Sequence, residues 1–123
     1  MSRLFLQNNE LVGSIPQELS SMQALETINL STNKLVGNIP KEIMRPSLYL
    51  VMDLSHNYLS GPLPQEIGKM NNVQKIILSN NKLSGDIPST IDGCQILQTL
   101  YLQKHVSGFF PFILQQHEST AGP

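Results

Sequence analysis

Leu25-Glu26-Thr27-Ile28-Asn29-Leu30-Ser31-Thr32-Asn33-Lys34-Leu35-Val36-Gly37-Asn38-Ile39-Pro40 is one unit of a pattern that returns every 24 residues. Asn33 recurs as Asn9, Asn57 and Asn81. Leu30 recurs as Leu6, Leu54, Leu78 and Leu102, and Ile28 as Leu4, Met52, Ile76 and Leu100. Leu11, Leu35, Leu59 and Leu83 make another column, and Gly13, Gly37, Gly61 and Gly85 follow at a fixed offset. Ile15, Ile39, Leu63 and Ile87 come next, each with a proline after it: Pro16, Pro40, Pro64 and Pro88. A fixed period in the twenties is the mark of a solenoid whose units stack on one another.

Each position has a physical role within the unit. Ile28 and Leu30 alternate with polar residues, the period of a short strand with one buried face. Such a strand needs neighbours, and the copies before and after supply them in parallel. Asn33 falls where the chain turns inward, leaving backbone groups that must find partners. Its amide offers donors and an acceptor, so Asn9, Asn33, Asn57 and Asn81 are expected to form a structural ladder. Gly37 permits a positive φ. Pro40 fixes φ and opens the outer segment, from which Leu19, Ile43, Ile67 and Ile91 return to the core. The expected fold is an α/β solenoid, with a parallel β-sheet on the concave face and irregular or short helical convex segments. No unit buries its own apolar face; stacking does.

The frame L-x-x-L-x-L-x-x-N-x-L-x-G-x-I-P resembles the plant-type leucine-rich repeat. Asp53-Leu54-Ser55-His56-Asn57 and Leu83-Ser84-Gly85-Asp86-Ile87-Pro88 are similar in wording to ectodomains of plant receptor-like kinases, nearest to the immune-receptor group. The resemblance covers about residues 1–105. It implies a non-catalytic module that binds a protein or peptide in signal or pathogen perception and defence response. A free-standing decoy, competitor or inhibitor of a receptor or secreted enzyme is the alternative. The receptors it resembles work at the extracellular face of the plasma membrane.

The ends depart from the frame. Met1 occupies the position of Leu25, Tyr49, Val73 and Leu97, so the chain opens inside a repeat, without a capping segment or signal-peptide pattern. Taken as it stands, such a chain is expected in the cytoplasm. Near the far end His105 stands where Asn is due, and Val106-Ser107-Gly108 arrive one residue early. Residues 1–114 are therefore read as four full repeats plus a degenerate fifth, and 115–123 as a disordered polar tail. The apolar run Phe109 to Leu114 is six residues long with a proline inside, against roughly 20 for a membrane span. Leu4 and Leu6 at one end, and Leu100 and Leu102 at the other, are expected to be uncovered. Self-association through uncapped ends joins a co-receptor among the possible contacts.

Composition narrows the chemistry. A net charge of −1 gives no basis for nucleic-acid or anionic-membrane binding. The single cysteine, Cys94, excludes an internal disulfide and shares a column with Met22, Pro46 and Met70, which reads as a small core residue. Asp53, Ser55 and His56 are neighbours, but Ser31, Ser55 and Ser79 recur at one position, so Ser55 belongs to the repeat. A catalytic triad is defined by geometry, not adjacency. His56, His105 and His117 lack metal-ligand spacing, and no phosphate loop or kinase signature is present. No enzyme activity, metal or cofactor is expected. Asn29-Leu30-Ser31 is the one glycosylation sequon, and in the absence of a signal peptide it is expected to stay bare.

The concave strand face is the usual binding surface of a solenoid. The candidate partner-binding residues are Phe5, Thr27, Asn29, Val51, Asp53, Lys75, Ile77, Thr99 and Tyr101. They vary from copy to copy while the apolar columns are held. Tyr101 reads as an aromatic anchor, with Lys75 and Asp53 setting charge selectivity.

Overall fold

The computed structural model describes residues 2–22, 24–46, 49–102 and 115–117. Each repeat starts with a short strand: β1 (Ser2–Phe5), β2 (Leu25–Asn29), β4 (Val51–Asp53), β6 (Lys75–Ile77) and β8 (Thr99–Leu102). These pair in parallel, in the order of the chain, and β9 (Gln115–His117) adds a sixth strand beside β8. The 24-residue period fixes the register. Arg3, Thr27, Val51, Lys75 and Thr99 lie side by side across five strands, as do Phe5, Asn29, Asp53, Ile77 and Tyr101.

Proline punctuates the convex side as the residue types require. Pro16, Pro40, Pro64 and Pro88 each sit in extended backbone ahead of a 3-10 helix: Gln17–Ser21, Lys41–Ile43, Gln65–Lys69 and Ser89–Gly93. The core lies between these helices and the sheet. Ile28, Met52, Ile76 and Leu100 are fully buried, as are Ile43, Ile67 and Ile91 from the opposite side. The last two helices touch backbone to backbone. A Cβ on Gly68 would strike the Thr90 carbonyl, and one on Gly93 the Gly68 carbonyl, so this close approach needs glycine at both places.

The asparagines stack from repeat to repeat. Asn33, Asn57 and Asn81 each accept from the amide of the preceding repeat, that of Leu11, Leu35 and Leu59, at 3.0–3.1 Å. Each Nδ2 donates to a carbonyl of the preceding repeat and to two of its own. Among the described residues Asn9, in the first repeat, bonds only the local carbonyls of Leu6 and Gln7.

Four features go beyond the sequence reading or revise it. A second parallel sheet runs along the flank, from β3 (Val36–Gly37) through β5 (Tyr58–Gly61) to β7 (Lys82–Leu83). Asn8, Thr32, His56 and Asn80, each just before a ladder asparagine, have φ of +55° to +60°. In the Cys94 column, Met70 and Cys94 are buried, but Met44 rather than Pro46 fills the second repeat's place. A residue before proline disfavours helical backbone, so the helix Lys41–Ile43 ends early, ahead of Arg45-Pro46, and its cap Met44 takes the core position. Finally, the two ends differ. Leu6 and Leu11 are more than a third exposed, whereas Leu100 and Leu102, expected to be open, are 0% and 1% exposed.

Strand β9 covers that second end, pairing Thr99 with Gln115 and Leu102 with His117. Of the tail expected to be disordered from Gln115 onward, Gln115–His117 thus form a strand. The remainder of that tail, and residues 103–114 of the degenerate fifth repeat, lie outside the described residues.

Candidate functional site

The candidate face is the open side of the parallel sheet. Alternation sends Ile28 and Leu30 inward and leaves Thr27 and Asn29 outward, and the same alternation acts in every repeat. Strand spacing of about 4.8 Å sets each outward side chain beside its counterpart in the next repeat. All nine candidate residues therefore share one surface. Phe5 is 54% exposed and Lys75 exposed; Thr27, Asn29, Val51, Asp53, Ile77, Thr99 and Tyr101 are half-buried.

Their side chains are not equally available. Asn29 Oδ1 accepts from the Ser31 amide at 3.1 Å and from Ser31 Oγ at 2.7 Å. Asp53 Oδ1 does the same with Ser55, at 3.0 and 2.7 Å. Each closes an Asx turn that ends its strand, so half of the Asp53 carboxylate is occupied by the fold. Lys75, in contrast, has no ion pair among the described residues. Beside it on β6 stands Ile77, with Tyr101 next across the sheet. This leaves a cation next to an apolar step at the β6–β8 end, and a hydrogen-bonding stretch at the β2–β4 end.

The neighbours Asp53, Ser55 and His56 do not assemble for catalysis. Ser55 Oγ is buried and donates to Asp53 Oδ1, the same oxygen that accepts from the Ser55 amide. His56 turns out at φ +55° and its Nε2 lies 3.2 Å from Asn80 Nδ2. A Ser-His-Asp triad sets the imidazole between hydroxyl and carboxylate, and here the hydroxyl bonds the carboxylate directly while the ring faces the next repeat. Cys94 is buried with its Sγ 3.0 Å from the Ile67 carbonyl, and burial raises its pKa to about 11. Among the described residues no cluster of three or more His, Cys, Asp or Glu could hold a metal, and no helix is long and apolar enough to cross a membrane.

Two further surfaces lie beside the candidate face, one missed by the sequence reading and one, the open β1 edge, expected from it. On the flank sheet Val36 and Tyr58 are about half exposed, and Lys82 Nζ lies 5.4 Å from the Tyr58 ring centre. At the β1 edge a recess of about 250 Å³ opens between Leu4, Leu6, Leu11, Leu19 and Leu30. The first had no signal beyond exposed residues in the repeat frame, because two-residue strands carry no alternation.

The pattern of the family described as Leucine Rich Repeat matches at residues 1–22, 24–45, 50–70 and 72–94. The chain belongs to the leucine-rich repeat family. Among solved structures, a chain of the BIR3–SERK2 complex from Arabidopsis thaliana superposes with a TM-score of 0.80 at 35% identity, over 93% of this chain and 66% of that one. The HAESA ectodomain of the same plant, in complex with an extended IDA peptide hormone, gives 0.79 at 33% identity, over 89% of this chain and 19% of that one. The plant peptide hormone receptor RGFR1 in complex with RGF2 gives 0.80 at 30% identity, over 87% and 21%. This leucine-rich repeat chain thus spans under two thirds of the first and about a fifth of the others. A comparison with curated protein sequences finds no match. Chain and relatives share the plant-type repeat fold; the HAESA relative is an ectodomain seen with a peptide hormone, RGFR1 is seen with RGF2, and the first is part of a BIR3–SERK2 complex.

Proposed function

We propose that this chain is a non-catalytic recognition module of the plant receptor-ectodomain kind, binding a peptide or protein through its concave sheet. The carrying observation is the in-register row of variable side chains on a face whose every inward neighbour is a fixed apolar column. Apart from Asn29 and Asp53, whose Oδ1 atoms close turns, the outward candidate residues are not engaged by the fold and are left to serve recognition. Support comes from solved relatives of the same fold, one with a peptide hormone and one in a BIR3–SERK2 complex. On this reading the chain faces the outside of a plant cell and serves in signal perception. Lys75, Ile77 and Tyr101 form its contact centre, because they are outward and uncommitted to any turn. Tyr101 has the aromatic character typical of interface anchors.

The test is photo-crosslinking with extracellular fluid from plant tissue. Ile77 is replaced by the photoreactive benzoyl-phenylalanine, and in a second protein Gln65 of the convex side is replaced in the same way. The proposal expects a discrete covalent adduct from the position-77 probe and none from the position-65 probe. Adducts from the convex probe alone would overturn it.

A further inference from the structure

The fold uses only half of the Asn29 side chain. Its Oδ1 accepts both bonds from Ser31, while its Nδ2 makes no hydrogen bond among the described residues. Asp53 shows that the repeat needs nothing more at this position. Its carboxylate forms the same two bonds with Ser55 at matching distances, and the next repeat, with Ile77, does without them. The amide nitrogen of Asn29 is therefore surplus to the structure. It sits on the open side of the sheet, in the one place where this frame reads Asn-x-Ser. The residue between, Leu30, points into the core at 3% exposure, so a group added to Nδ2 leaves the packing intact.

We infer that Asn29 is an N-glycosylation site and that its glycan shields the β1–β4 half of the concave face. Nδ2 displaces the diphosphate at the anomeric carbon of a lipid-diphosphate-linked oligosaccharide. The N–C bond forms, the C–O bond breaks with its electron pair going to the lipid diphosphate, and one Nδ2 proton passes to a base of the transferase. Phe5 and Asp53 flank Asn29 directly across the sheet, and Thr27 precedes it on the same face. A sugar at this point covers all three. A protein or peptide partner is then confined to Lys75, Ile77, Thr99 and Tyr101, the end where the uncommitted cation and the apolar step lie. This reverses the expectation of a bare Asn29 and rests on the extracellular reading given above.

The experiment isolates the chain from the plant cells that make it, separately from secretory membranes with wall fluid and from cytosol. Each fraction is treated with a glycan-releasing amidase in heavy-oxygen water, and the peptide bearing Asn29 is analysed by mass spectrometry. The inference expects heavy-oxygen Asp at position 29 in secretory material. It also expects that an Asn29→Asp variant, which keeps the acceptor oxygen, migrates as the unglycosylated form with an unchanged urea midpoint. Ser31→Ala should lose the glycan as well. Unmodified Asn29 in secretory material would overturn the inference while leaving the proposed function standing. A chain found only in cytosol with unmodified Asn29 would overturn both.

Discussion

At the scale of single residues, stability rests on buried polar side chains as well as on leucines. Asn57 is 6% exposed, accepts from Leu35 and donates to the carbonyls of Leu30, Leu54 and Ser55. Asn57→Leu adds apolar surface but orphans buried backbone groups, at roughly 1–3 kcal/mol for each group left unpaired. The urea midpoint of Asn57→Leu should therefore fall well below that of wild type. Asn9→Leu, which breaks two exposed local bonds, should fall far less; equal losses would show that the stacking between repeats carries no weight. Thr32 offers the opposite test. Its φ of +56° is costly for a β-branched residue, at about 1–3 kcal/mol, and the same column holds Asn8 and Asn80. Thr32→Asn should raise the urea midpoint by the equivalent of about 1 kcal/mol, and a lowered midpoint would contradict this reading of the turn.

At the scale of elements, the last two convex 3-10 helices approach backbone to backbone, and Ile43, Ile67 and Ile91 tie the last three to the core. Cys94 caps the last of these helices, and its thiol is raised from 9.0 to about 11 by burial. Below pH 9 both folded and unfolded chains keep the proton, so the contribution is complete. Between about 9 and 11 the unfolded chain releases it while the folded chain does not, and stability falls as pH rises. Urea midpoints measured from pH 8 to 11 should decline more steeply for wild type than for Cys94→Ala, and identical slopes would contradict the burial. Elements of this kind were legible to different degrees. The concave strands and prolines could be read because each apolar column repeats at 24 residues. The flank sheet could not, since Val36–Gly37 and Lys82–Leu83 are too short to show alternation. Met44 in place of Pro46 needed the local shortening of one helix, which strict periodicity conceals.

At the scale of the whole molecule, the solenoid is asymmetric: apolar side chains line a recess at the β1 edge, and β9 covers the other. The closed end was illegible because its strand returns after 16 residues from Thr99 to Gln115, not 24. The candidate face was legible as a surface, since alternation alone sends its residues outward. Their division was not. Only the hydrogen bonds of Asn29 and Asp53 to the serines two residues on separate turn-forming side chains from free ones. The central claim is that inward columns make the fold and the outward β6–β8 residues make the contact. The most direct measurement is calorimetric titration with the partner recovered by crosslinking, comparing two triple variants of matched thermal stability. Lys75→Ala, Ile77→Ala and Tyr101→Ala together should weaken binding by about 2 kcal/mol or more, while Glu18→Ala, Lys41→Ala and Gln65→Ala together should stay within about 0.5 kcal/mol. A concave triple variant that binds like wild type, with the loss falling on the convex set, would contradict the account.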